Sequence, residues 1–240
     1  MKYIAIGLGL FLVGCACILF AFEVNGYYQN KLNTKKELRV VREIVTELDY
    51  YNFMRKHGGG RMKEVIGAAE NLLNAIRDPE VQLSKEDIDL NLHKLNWVWL
   101  SATPITSYVA LNSSGDFSFL SSMSLRKKFA NFNADQEKLL QFEAIQTRFV
   151  DQQLRPFLNH NTDRTTIDSY QFGATLKTKR YSSPFTNTNY KLLKNREFAN
   201  LLTDLLFFTK RLFLPYDRLG NTTLDIKEII KKEYTSIEID

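Results

Sequence analysis

Cysteine is nearly absent from this chain: there are 2 in 240 residues, Cys15 and Cys17, and both sit in one apolar run. No disulfide framework can therefore staple the remainder, which has to hold itself together by packing. Histidine is almost as scarce. The 3 present, His57, His93 and His160, have no second His, Cys or paired carboxylate at metal-ligand spacing, so no metal-binding motif is written in the chain. His93 lies opposite an apolar stripe and reads as a surface residue. There is no Gly-x-Ser-x-Gly elbow, and Gly58, Gly59 and Gly60 are followed by Arg61 and Met62 rather than the Gly-Lys-Ser/Thr of a phosphate cradle. Asp87 and Asp89 resemble a carboxylate pair but leave a helix on different sides. We expect no catalytic residue, no cofactor and no bound metal.

What is present begins with Tyr3 to Phe22, an unbroken apolar run without a charged side chain. That length matches a bilayer-spanning helix, which needs about 20 such residues. Three readings compete for it. A cleaved signal would have a shorter apolar core and small residues at the cut, and Leu19, Phe20 and Ala21 do not supply them. Leu12, Val13, Gly14 and Cys15 satisfy a lipobox, yet an apolar stretch rather than a polar tether follows Cys15. A retained anchor fits best, with Cys15 and Cys17 as small apolar lining. Gly7, Gly14 and Ala21 recur every seven residues and would form one line of small side chains along such a helix, a surface that lets another helix approach. Glycine and alanine are also common in membrane helices for no specific reason.

Orientation is contested. Lys31, Lys35, Lys36, Arg39 and Arg42 follow the run, and only Lys2 precedes it, which by the positive-inside rule retains the large domain in the cytoplasm. Long domains nonetheless translocate largely regardless of charge, and a Met-Lys start resembles an export signal. Charge does not decide the side.

Beyond the anchor, the net charge of +5 and pI near 9.0 raise nucleic-acid binding, but the basic residues alternate with Glu37, Glu43 and Glu47 and form no cationic stripe. Nucleic acid is disfavoured. Lys31, Lys35 and Lys36 are better placed to meet anionic headgroups, at about 1 kcal/mol each.

The rest reads as helix after helix. Leu38, Val41, Val45 and Leu48 give a helix over Asn30 to Phe53, and the three glycines predict a reversal. A second helix fits Met62 to Arg77 and is closed by Pro79. Ser84 with Asp87 forms a capping box that opens a third, bearing Ile88, Leu92, Leu95 and Trp99. Thr103 and Pro104 start a short fourth, ended by Asn112 to Gly115. Further helices are predicted over Leu125 to Asn131, Ala134 to Leu158 with Pro156 in its last turn, Tyr190 to Leu214, and Thr223 to Tyr234. Between Asn159 and Asn189 periodicity vanishes. That segment carries Tyr170, Phe172, Tyr181 and Phe185 with Lys177, Lys179 and Arg180, and loops so long are commonly functional or flexible. The expected architecture is all-α: a transmembrane anchor and exit over residues 1–29, then a helical bundle or array over 30–240 with one irregular loop near 159–189.

Several segments together resemble a family of single-pass bacterial membrane proteins that has no assigned activity. They are the exit Glu23, Val24, Asn25, Gly26, Tyr27 and Tyr28, the charged helix from Lys35, the Tyr108 to Gly115 turn, Leu125 with Arg126, and Asn195 to Phe198. The chain departs from that pattern in lacking a basic tail before the apolar helix and a Gly-Glu pair near its start. The resemblance implies an inner-membrane protein whose soluble domain lies in the periplasm. The leading expectation is a membrane-anchored, non-catalytic helical domain that binds a partner or senses something in the cell envelope. Its partners would be the bilayer and another envelope protein or a second copy of the chain, with the Tyr170 to Phe185 loop as contact. The alternative is a tethered enzyme whose active site assembles only in three dimensions.

Overall fold

The computed structural model describes residues 2–98, 106–113, 120–167 and 183–236, without the side chains of 2–13, 16, 108, 111 and 112. The described residues are helical, with no strand among them. Helix α1 spans Lys2–Arg77, α2 Lys85–Leu95, α3 Thr106–Ser113 and α4 Met123–Phe149. A π-helical stretch, Val150–Leu154, leads into α5, Arg155–Asn161; a 3-10 turn, Asn189–Lys194, precedes α6, Arg196–Glu233. An all-α chain is therefore what the structure has.

The expected transmembrane helix is not met: among the described residues no helix is long and apolar enough to cross a membrane. Two facts bear on this. Most side chains of the apolar run lie outside the described ones, and α1 does not stop after that run but continues to Arg77 as one helix.

The predicted reversal at Gly58 to Gly60 is also corrected, because α1 passes through all three. A glycine costs a helix about 1 kcal/mol relative to alanine, so packing has to override propensity here. Val41, Leu48, Met62 and Ala69 are buried at multiples of seven residues, and Ile44, Tyr51, Val65 and Leu72 form the second row. Gly58 is buried in phase with that second row.

The same 3-4 alternation organises the other two long helices. In α4 the buried positions are Leu125, Phe129, Phe132, Gln136, Leu139, Glu143, Gln146 and Phe149, with Val150 following at the start of the π stretch. In α6 the alternating buried positions run Phe198, Leu202, Leu205, Thr209, Leu212, Tyr216, Leu219, Thr223, Ile226 and Ile230. A sustained 3.5-residue repeat is the pattern of helices that pack by inserting side chains into one another's gaps. Two breaks predicted from sequence disappear accordingly: Asn131 to Asn133 lie inside α4, and α6 runs through Pro215 to Glu233.

Pro156 does interrupt its helix. Proline has no N–H to donate and its ring crowds the preceding turn. The chain widens there into the π stretch, where the Arg155 N–H reaches back to the Val150 carbonyl, and Pro156 opens α5. Ser84 caps the helix as expected, the Asp87 N–H donating to Ser84 Oγ at 3.0 Å, while the Asp87 carboxylate accepts the Ser84 hydroxyl at 2.7 Å in place of the backbone N–H of a full capping box.

The chain divides into two compact units. The first comprises Met1–Leu48, Ile105–Arg126 and Lys227–Asp240; the second Asp49–Pro104 and Lys127–Ile226. In the second, α6 runs antiparallel to α1, as Asn52 meets Thr223 and Glu70 meets Lys210. It is antiparallel to α4 as well, with Lys128 on Asp225 and Gln146 on Thr209. The wider end of this unit adds α2, α5 and the 3-10 turn around Leu72, Leu92, Leu95, Leu154, Leu158 and Leu202, all fully buried.

Candidate functional site

In the first unit, two carboxylates of α1 tie down distant segments. Glu37, buried, accepts the Ser121 N–H at 2.6 Å, the Ser121 hydroxyl at 2.8 Å and the Tyr234 hydroxyl at 2.6 Å, all on Oε1. Burial, and then the bond to the Glu37 carboxylate, push the Tyr234 phenol up to about 12. Glu47 caps α3: its Oε2 accepts the Ser107 N–H at 3.0 Å, and Oε1 takes the Thr106 and Ser107 hydroxyls at 2.5 and 3.0 Å. A carboxylate at a helix start satisfies free N–H groups and suits the positive end of the helix dipole. Thr103 and Pro104, expected to do this, lie outside the described residues.

The second unit is closed by a knot around Asp89. Asp89 is buried, and its two oxygens accept the amides of Asn189 at 2.6 Å and Asn187 at 2.7 Å. Asn189 Oδ1 in turn accepts the Asp163 N–H at 2.9 Å. Burial works to raise the Asp163 carboxyl, but hydrogen bonds from Ser183, Thr165 and the Thr166 backbone outweigh it and hold the group below its usual range. Both ends of the irregular segment are thus fixed to α2. The sequence reading treated Asp89 as one of two unrelated acids; its partners lie about a hundred positions away, where no local pattern reveals them.

His93 is corrected: it is buried and packs edge-on to Trp97 at 5.2 Å. Trp97 also receives the Arg61 guanidinium at 4.0 Å from its ring centre. His57 is exposed and lies on Phe53, and His160 is exposed on α5.

A polar layer crosses the heptad core of the second unit. Tyr51 and Arg55 of α1, Glu143 of α4 and Tyr216 of α6 interact there electrostatically. Burial, then Tyr216 and Glu143, raise the Tyr51 phenol far above its ordinary range. Arg55 reaches Asp217 at 3.8 Å, and its guanidinium lies so close over Gly220 that a Cβ there would overlap it. Glycine at 220 makes that approach possible. Polar groups in a heptad core fix helix register at a cost in stability, and this is the simplest account of the layer.

Glu143 has a second face. With Thr147 it lines a hollow of about 420 Å³ along α4, with Leu140, Ala144 and Arg148 on its walls and Asp151 at the π stretch. Another hollow, of about 400 Å³, shares Gln152 with the first and is lined by Gln153, Phe157, His160 and Glu197 among others. π-turns frequently mark functional positions. Among the described residues no group of three or more His, Cys, Asp or Glu is placed to hold a metal ion.

The residues proposed from sequence are scattered. Gly7 has no described side-chain surroundings; Gly14 and Ala21 are exposed, and a Cβ on Gly14 would meet nothing within 4 Å. Lys31, Lys35 and Lys36 are exposed on α1. Tyr170, Phe172, Lys177, Lys179, Arg180 and Tyr181 lie outside the described residues, and Phe185 is 69% exposed.

Comparison with protein-family models, curated proteins and solved structures finds no match for this chain. The resemblance to a family of single-pass bacterial membrane proteins is accordingly withdrawn. It rested on short segments in a common order, none diagnostic alone, and no helix among the described residues meets the requirement of a span.

Proposed function

We propose that the chain is a membrane-attached helical domain of the cell envelope that binds a partner and is not a catalyst. The observation that carries this is the surface of α1 before its heptad rows begin: residues 17–36 are all exposed. Ile18, Leu19, Phe20 and Phe22 are 58, 68, 69 and 70% exposed. An apolar surface of that kind on a continuous helix demands a cover, because leaving it in water forfeits about 25 cal/mol per Å². Lipid is the cover that suits the order of residues. The apolar run of Tyr3 to Phe22 gives way to Tyr27 and Tyr28, packed edge to face at 6.2 Å, and then to Lys31, Lys35 and Lys36. Apolar, then aromatic, then basic is the succession met on crossing from hydrocarbon to headgroup to water.

The partner surface we assign to the segment between Asp163 and Asn189, whose ends are held by the Asp89 knot and whose Phe185 projects outward. Membranes carrying the full chain, washed at alkaline pH, test the attachment: the chain stays in the pellet on this account, and release of folded chain into the wash contradicts it. A reporter fused to the C-terminus tells which side holds the domain. Deleting residues 168–182, which spares Asn187 and Asn189, is expected to keep the fold and lose co-purifying partners. Unchanged partner recovery removes the loop from the account.

A further inference from the structure

We propose that the hollow lined by the π stretch, α5 and the start of α6 binds a neutral sugar ring, either a free monosaccharide or one residue of a glycan chain. All its lining residues belong to the second unit, and none takes part in the membrane attachment proposed above.

The hollow joins an apolar floor to a polar rim. Phe157 and Leu201, 7 and 9% exposed, form the floor with Pro156. The Phe157 ring stacks on that of Phe198 at 5.9 Å between centres, which fixes its place. Gln152, Gln153, His160, Asn161 and Glu197 make the rim, all exposed. Among the described residues, no hydrogen bond or ion pair engages the side chains of Gln152, Gln153, His160 or Glu197, so all four are open to a ligand. The Asn161 amide donates to the Phe157 carbonyl at 2.9 Å and keeps its own oxygen free to accept. A backbone acceptor stands among them as well, because Pro156 has no N–H to give the Gln152 carbonyl four residues earlier. Side-chain amides both donate and accept, whereas a carboxylate accepts. A sugar hydroxyl does both, and the C–H face of a pyranose is apolar, so one ring satisfies rim and floor together. Its bond to the Glu197 carboxylate would be the strongest of the set.

Competing ligands fit less well. No Lys or Arg lines the hollow, and Glu197 would repel an anion. A cation would meet one exposed carboxylate, which alone holds it weakly, and no metal-ligating group of three lies among the described residues. A wholly apolar ligand would cover the floor and strand the amides of the rim. The volume of about 400 Å³ falls in the range of small-molecule sites and holds one ring with room beside it for a second.

Saturation-transfer difference NMR on the full chain in lipid nanodiscs tests this with methyl glucoside, methyl galactoside, N-acetylglucosamine and the β-linked dimer of N-acetylglucosamine; glycerol and glucuronate serve as controls. Saturable binding of at least one neutral sugar is expected, with none of glycerol and weaker binding of glucuronate. Glu197→Ala combined with His160→Ala, both on exposed side chains, should weaken it by about tenfold or more. A dimer that binds more tightly than the single sugar assigns the site to a glycan chain; equal binding assigns it to a free sugar. Either supports the proposal. It is overturned if no neutral sugar binds, if glycerol or glucuronate binds as tightly as the sugars, or if the folded double variant binds like the parent. Should that variant fail to fold by circular dichroism, unchanged binding by Gln153→Ala overturns it instead.

Discussion

Helix α1 contains two surfaces that obey different rules. From Val41 to Leu72 most of its buried residues fall in two rows, flanked by Val45 and Ala68, and a single turn carries apolar and charged side chains on opposite sides. From residue 17 to 36 no side is buried, and the apolar residues Ile18, Leu19, Phe20 and Phe22 point all round the helix. The first pattern is that of a helix whose environment is other helices of its own chain; the second needs surroundings that are apolar in every direction or a partner that supplies them. Length and helical propensity are common to both. Periodicity alone separates them.

The largest expected effect comes from truncating the periodic part. Phe132, which is fully buried and packs against Tyr51 at 5.4 Å, should cost about 3–5 kcal/mol when changed to alanine, measured by urea unfolding in detergent. Phe20→Ala should change the same midpoint by less than about 0.5 kcal/mol while weakening membrane retention. Equal losses from both would erase the distinction between the two surfaces.

Next in size is Asp89→Ala, which strands the Asn187 and Asn189 amides. Leaving buried donors unmet costs about 1–3 kcal/mol, and faster proteolysis within 163–189 should accompany it. Unaltered cleavage would show that the knot does not hold the segment.

Tyr234 gives a smaller effect with a defined sign. Its pKa is raised, from 10 unfolded to about 12 folded, so the neutral phenol is the form the fold favours. That contribution is fully present below pH 10 and is lost as pH climbs toward 12. Tyr234→Phe should be less stable at neutral pH by about 1 kcal/mol and should lack that part of the alkaline slope. An unchanged slope would mean that the Glu37 bond is not sensed by the fold.

How much of this was legible beforehand follows from the range of the signals. The all-helical class, the Ser84 cap and the apolar faces of the core helices depend on residues within a turn or two of each other, and local reading finds them. Helix ends were misplaced for one physical reason: Gly58 to Gly60, Asn131 to Asn133 and Pro215 are local breakers, and the heptad phase on either side of each is continuous. Had Leu48 and Met62 been read as one phase rather than two helices, α1 would have been seen whole. Asp89 and Glu143 were missed because their surroundings come from remote segments.

That reasoning yields the smallest prediction. Gly60 is exposed, with nothing within 4 Å of a built Cβ, and lies mid-helix. Gly60→Ala should therefore stabilise the domain by about 0.5–1 kcal/mol; a loss would restore the glycines as a turn.

The division of α1 is tested most directly by the chain's own two thiols. Cys15 and Cys17 are free and sit in the aperiodic apolar part, Cys17 exposed. In vesicles bearing the full chain, a water-soluble, membrane-impermeant maleimide should leave Cys17 unlabelled until detergent and denaturant are added, if lipid covers it as proposed. Rapid labelling of Cys17 in intact vesicles, on whichever side the domain lies, would contradict the account.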